Sequence, residues 1–98
     1  MKQLHLLPSA QRDLDAIWDY TANAWGIDQA ESYVTALRRD MEQLREYPQL
    51  GVVHASRHAS FRKLPSGHHF IYYVIAGAGV EVVRVLHERM DVARLLSG

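Results

Sequence analysis

Cysteine is absent from this 98-residue chain, which excludes disulfides, thiol catalysis and thiolate metal sites and fits a reducing compartment. Proline occurs three times and glycine six, too seldom for a collagen-like or Pro/Gly-rich disordered chain. Long hydrophobic runs are also missing, since the longest, Phe70 to Ala76, is far too short to cross a bilayer. The segment Met1 to Pro8 lacks the extended apolar stretch and small-residue cleavage site of a secretory signal, so the expected location is the cytoplasm. Nor is there an excess of charge of one sign: 11 Lys/Arg balance 11 Asp/Glu, and the pI is near 7.0. That balance removes any global electrostatic case for nucleic-acid binding, so sequence-specific binding of nucleic acid by this chain alone is not expected.

What is present is ordinary for a globular protein, with 48% hydrophobic and 22% charged residues. A chain of this length supports one domain, residues 1–98, and buries about two-thirds of its unfolded surface. The neutral total hides an asymmetry. Residues 1–50 hold five Lys/Arg against eight Asp/Glu, whereas residues 51–98 hold six against three and five of the six histidines. The surface is therefore expected to be dipolar, and a partner with an anionic patch would be drawn to the C-terminal half.

Gln3 to Leu7 reads as a short strand, and Pro8-Ser9 punctuates it, with Ser9 the expected N-cap. Leu14, Ile17, Trp18, Thr21 and Trp25 recur at three- and four-residue spacing and predict a helix over about 10–24, ended by Gly26. Asp28 and Glu31 resemble a capping box, and Ala30, Tyr33, Val34, Leu37, Met41 and Leu44 carry a second apolar stripe to about Tyr47, before Pro48. The two helices should form an antiparallel hairpin. Residues 52–60 are polar and unpatterned and read as a loop or ragged edge. Phe61 to Leu64, His68 to Ile75 and Val80 to Leu86 read as strands, with a turn at Pro65-Ser-Gly67 and a hairpin through Ala76-Gly-Ala-Gly79. The expected fold is α+β, β-α-α-β-β-β, with the helical hairpin on a small antiparallel sheet. Both faces of the third strand carry large apolar groups, so the face away from the helices is expected to meet a partner.

The chemistry-bearing residues gather where the last strand ends, at His87-Glu88-Arg89-Met90-Asp91. This opens like a zinc-protease helix, but Asp91 stands where the second His would be needed, and no metal or cofactor is expected. His54 and His58 have metal-pair spacing only if helical, and His68 and His69 point to opposite faces if their strand is regular. Arg57, Arg62, Lys63, Arg84 and Arg89 lie on or beside the predicted sheet. With His87 they would converge on one concave face, able to hold a phosphate backbone with His87 as general acid or base. The competing reading makes them edge-strand charges paired with Glu81, Glu88 and Asp91. Arg84 fits that reading less well, because a buried mid-sheet guanidinium needs a partner. Trp18, Trp25 and Tyr33 read as core positions, with Trp25 at the hairpin turn open to a partner, and Asp13, Asp15 and Asp19 as the wet face of the first helix.

Taken in order, Asp13-Leu14-x-x-Ile17-Trp18-x-Tyr20, Trp25-Gly26, Pro48-x-x-Gly51, the Arg62 strand, His69-x-Ile71-x-Tyr73 and Val83-Arg-Val-Leu-His-Glu-Arg-Met-Asp91 resemble the ParE branch of the ParE/RelE toxin superfamily. The resemblance spans nearly the whole chain and implies the toxin half of a bacterial type II toxin-antitoxin module, forming a hetero-oligomer with a ParD-like antitoxin. RelE-like members cut mRNA on the ribosome with basic residues and a Tyr or His-Tyr pair near the C-terminus, whereas ParE-like members poison DNA gyrase. Here the tail after Asp91, Val92-Ala-Arg-Leu-Leu-Ser-Gly98, has no Tyr or His. The resemblance therefore implies a gyrase-binding toxin with no catalytic residues. The alternatives are an endoribonuclease built on Arg62, Lys63, Arg84, His87 and Arg89, or a non-toxic relic that binds only the antitoxin. Partner contacts are expected from Trp18, Trp25, Arg57, Arg62, Tyr72, Arg84, His87, Arg89 and Asp91.

Overall fold

The computed structural model describes residues 1–55 and 60–90. Strand β1 (Gln3–Leu6) leads into helix α1 (Pro8–Trp25), and helix α2 (Ile27–Glu42) ends in a single 3-10 turn, Gln43–Arg45. Strands β2 (Val52–Ala55), β3 (Ser60–Ser66), β4 (His69–Ala76) and β5 (Gly79–His87) follow. The fold is α+β, with the helical hairpin on one face of the sheet. That sheet is larger than expected. Its order is β1-β5-β4-β3-β2, antiparallel from β5 to β2, with β1 alongside β5 in parallel.

Several local expectations are corrected. Residues 52–55 form an edge strand although their alternation is weak, because β3 supplies a complete ladder of partners. Pro65 lies inside β3 opposite Phe70, and the two-residue turn is Gly67-His68, with Gly67 at φ +58°, a conformation that side-chain-bearing residues rarely adopt. Ser9 is not a cap. Pro8 opens α1, leaving Leu7 at the cap position, and the Ser9 hydroxyl donates to the Val83 carbonyl at 2.6 Å, tying α1 to the sheet. The Asp28–Glu31 box is also absent, since Gly26, at φ 99° and ψ 164°, both ends α1 and starts α2. Asp28 instead sits in the first turn of α2, where the helix dipole favours a carboxylate.

The core lies between the hairpin and the sheet, where Leu14, Leu37, Met41 and Leu44 pack on Ile71, Tyr73, Val80, Val82 and Val85. Strict alternation along β5 would put Val82 and Val85 on opposite faces. A bulge resolves this, because Tyr72 pairs with Arg84 while Tyr73 pairs with Val82, leaving Val83 without a counterpart. The extra residue resets the alternation, so Val80, Val82 and Val85 all reach the helices. On the other face, Tyr72 and Leu86 are buried outside this cluster. No helix among the described residues is long and apolar enough to cross a membrane.

Candidate partner-docking cleft

Where β1 stops at Leu6, the edge of β5 passes to α1. Asp13 takes over that edge, accepting from the Arg84 Nε at 2.8 Å, the Arg84 Nη2 at 3.0 Å and the Val85 backbone N–H at 2.9 Å. The partner that a mid-strand arginine requires is thus on the first helix, and Asp13 is not a solvated residue like Asp15 and Asp19. This fork also raises the basicity of the Arg84 guanidinium, chiefly through the hydrogen bond to Asp13.

The remaining cations do not converge. Arg62 pairs with Tyr73 on the helix side and donates to the Gly51 carbonyl at 2.8 Å, whereas Lys63, one residue on, lies on the other face with its ammonium 4.8 Å from the Phe70 ring centre. Arg89 is exposed beyond β5. Alternation along β3 sends Arg62 and Lys63 to opposite faces and the ion pair commits Arg84 to Asp13, so the five residues of the nuclease constellation do not share one face, although Arg89 stays beside His87. Arg57 and Asp91 lie outside the described residues. Tyr72 is 1% exposed, its ring edge-on to His54 and Phe70, so it fills the sheet and offers a partner little surface. Among the described residues no group of His, Cys, Asp or Glu is placed to hold a metal ion.

What the fold does bring together is a cleft of about 770 Å³ between the two helices, the β3–β4 turn and the end of β5. Ile17, Thr21 and Trp25 of α1 and Tyr33 of α2 form its helical side, and His68, His69 and His87 form the other. Trp25 and Tyr20, which line it, are 75% and 73% exposed, and Ile27, two residues after Trp25, is 63% exposed. Trp18 is half-buried and does not line the cleft. The expectation that His68 and His69 face apart fails, because His68 belongs to the turn and only His69 to the strand.

Tyr33 organises the histidines. Its hydroxyl accepts the His68 backbone N–H at 2.9 Å and is 2.6 Å from the His69 Nδ1. The close approach depends on Gly67, where a Cβ would stand 2.7 Å from the Tyr33 oxygen. Burial raises the Tyr33 pKa, keeping its proton in place. Burial also lowers the His69 pKa, helped by His87, whose ring lies edge-on at 5.3 Å, and by His68. On the rim the His68 Nδ1 is 3.3 Å from the Glu88 carboxylate. Sequence reasoning missed this set, since Tyr33 and His69 are 36 positions apart and no spacing rule links them.

A lowered His69 pKa makes acid destabilising. The unfolded imidazole takes up its proton near the ordinary value of 6.5 while the folded one resists to lower pH, so the unfolded state holds more protons in that window. Stability is expected to be level above the window and to fall as pH drops from 6.5 toward the folded value. Urea midpoints at about pH 7.5 and about pH 5.5 check this: His69→Gln should show a smaller loss than wild type, and equal losses would contradict the assignment.

Comparison with known proteins decides the family. The profile described as "ParE toxin of type II toxin-antitoxin system, parDE" matches residues 4–92. The chain belongs to this family. It is 42% identical over 92 residues to Toxin ParE1 of Mycobacterium tuberculosis, covering 93% of this chain and 94% of that protein. It is 37% identical over 91 residues to Toxin ParE1 of Caulobacter vibrioides, with the same shares. The fold of this ParE-family chain also matches a solved structure, "Chromosomal ParDE TA system from P. aeruginosa", with a TM-score of 0.78 and 21% identity over 89% of this chain and 96% of that one.

Proposed function

We propose that this ParE-family toxin arrests growth by binding DNA gyrase, without chemistry of its own, and that a ParD-like antitoxin neutralises it by laying an apolar segment into the helix–sheet cleft. The observation that carries the docking reading is the cleft itself, an apolar hollow with an exposed aromatic rim and no Lys, Arg, Asp or Glu among its described lining residues. Exposed apolar surface of this kind on so small a domain is characteristic of a protein interface. Gyrase is the target that the resemblance to ParE toxins implies. The scattering of Arg62, Lys63 and Arg84 supports binding over RNA cleavage, because a ribosome-bound nuclease needs cations gathered at one site to hold and charge-stabilise the phosphate.

Purified toxin is expected to inhibit gyrase supercoiling in proportion to its amount, and equimolar antitoxin should restore the activity. Induction without antitoxin should trigger a DNA-damage response. Normal supercoiling together with cleaved mRNA would establish the nuclease instead. Unimpaired growth on induction would identify a non-toxic antitoxin binder.

A further inference from the structure

The hydrogen bonds around the cleft engage the Nδ1 atoms of His69 and His87 and leave the Nε2 atoms to a partner. The Tyr33 oxygen accepts the His68 backbone N–H and lies 2.6 Å from the His69 Nδ1, a spacing at which the Tyr33 hydroxyl can donate to that nitrogen. With Tyr33 as the donor, His69 carries its own proton on Nε2, and burial favours the neutral ring. The His87 Nδ1 accepts the Arg89 backbone N–H at 3.2 Å, which leaves Nε2 as the ring nitrogen that can donate. Among the described residues neither Nε2 has a hydrogen-bond partner, and no buried side-chain nitrogen or oxygen is left unpaired. Both Nε2 atoms are therefore reached by solvent, on residues that line the cleft.

We propose that His69 and His87 are a carboxylate receptor, using their Nε2–H groups to hold an Asp or Glu side chain that the antitoxin carries on the segment occupying the cleft. This rests on the docking reading above and adds the chemistry of the contact. Two neighbouring N–H donors suit a carboxylate, whose two oxygens accept together. Phosphate fits less well, because the described lining residues include no Lys or Arg to balance its extra charge. The acceptor must also arrive on an apolar segment, since Ile17 and Trp25 form the opposite wall. Among the described residues the nearby carboxylates do not compete: Asp13 is engaged by Arg84, and Glu88 faces His68. The second half of the chain brings three histidines, and no carboxylate, to the described lining.

The test is calorimetric titration of full-length toxin with its copurifying ParD-like antitoxin. His87→Phe keeps a ring but removes the donor, and should weaken binding by about 10- to 100-fold, the range for a hydrogen bond to a charged group. His87→Gln places an amide N–H near the same point and should stay within about threefold of wild type. Changing the antitoxin's acidic residues one at a time to amides should reveal one position that weakens binding to wild-type toxin comparably yet adds nothing against His87→Phe. That scan against wild-type toxin stands by itself should His87→Phe fail to fold. Tight binding by a folded His87→Phe toxin, or a scan in which no single carboxylate matters, overturns the receptor while leaving antitoxin docking intact. Absence of any binding by wild-type toxin overturns both.

Discussion

Asp13→Ala is expected to lower the unfolding free energy by about 2–4 kcal/mol, shifting the melting temperature by about 10–25 °C in a domain of this size. An ion pair on an open surface contributes at most about 1 kcal/mol, so the magnitude decides whether Asp13 is a surface charge or a joint between layers. The structure argues for a joint, since the carboxylate is 15% exposed and accepts three hydrogen bonds, two from Arg84 and one from the Val85 backbone. Removing it strands a partly buried guanidinium and unpairs a strand N–H at the point where β1 no longer covers β5. Asp13→Asn should cost less, because one amide oxygen still accepts. Adding Arg84→Leu to Asp13→Ala should recover part of the loss by removing the unpaired charge. Urea unfolding of the three variants measures this, and a loss below about 0.5 kcal/mol for Asp13→Ala would show that the edge is held by other contacts.

Gly51→Ala should be comparably damaging, at about 3–5 kcal/mol from overpacking and lost hydrogen bonds. A methyl group there would stand 2.7 Å from the Tyr73 ring, 2.8 Å from its hydroxyl and 2.9 Å from the Lys63 carbonyl oxygen. Tyr73 cannot swing aside: it is fully buried, accepts the Gly51 N–H at 2.8 Å and donates to the Pro48 carbonyl at 2.7 Å. This glycine is required for space and not for an unusual backbone angle. Tyr73→Phe alone should cost about 1–3 kcal/mol, because the buried Gly51 N–H loses its acceptor. Combining it with Gly51→Ala should not rescue stability, since the Lys63 carbonyl still blocks the methyl group. Thermal and urea unfolding check the pair, and a double variant as stable as Tyr73→Phe would show that the tyrosine hydroxyl alone makes the site tight.

The helices and the two C-terminal hairpin strands were legible because each rests on local pattern. Leu14 with Thr21, and Leu37 with Met41 and Leu44, recur at helical spacing and are buried as that spacing predicts. Strand β2 was not legible, because Val52 and Val53 are both exposed and only pairing with β3 makes the segment a strand. The bulge at Val83 was hidden too: an extra residue leaves no mark on a run of valines until its partner strand is in place. In the cleft, His87 and Trp25 could be picked out as the end of a strand and the end of a helix. Tyr33 read only as core and His69 only as a strand position, since their meeting depends on how α2 lies across the β3–β4 turn.

The helical hairpin and the strands β1, β3, β4 and β5, the α+β class, the dipolar distribution of charge and the resemblance to ParE toxins are properties of the sequence by itself, because periodicity, composition and motif order are local or additive along the chain. The arrangement of the functional groups is decided by tertiary structure alone. Alternation sends Arg62 and Lys63 to opposite faces, an ion pair across 71 positions binds Arg84 to Asp13, and packing of α2 against a turn joins Tyr33 to three histidines around one cleft. Contacts between residues far apart in the chain depend on how the layers pack, and no spacing within a single segment encodes that.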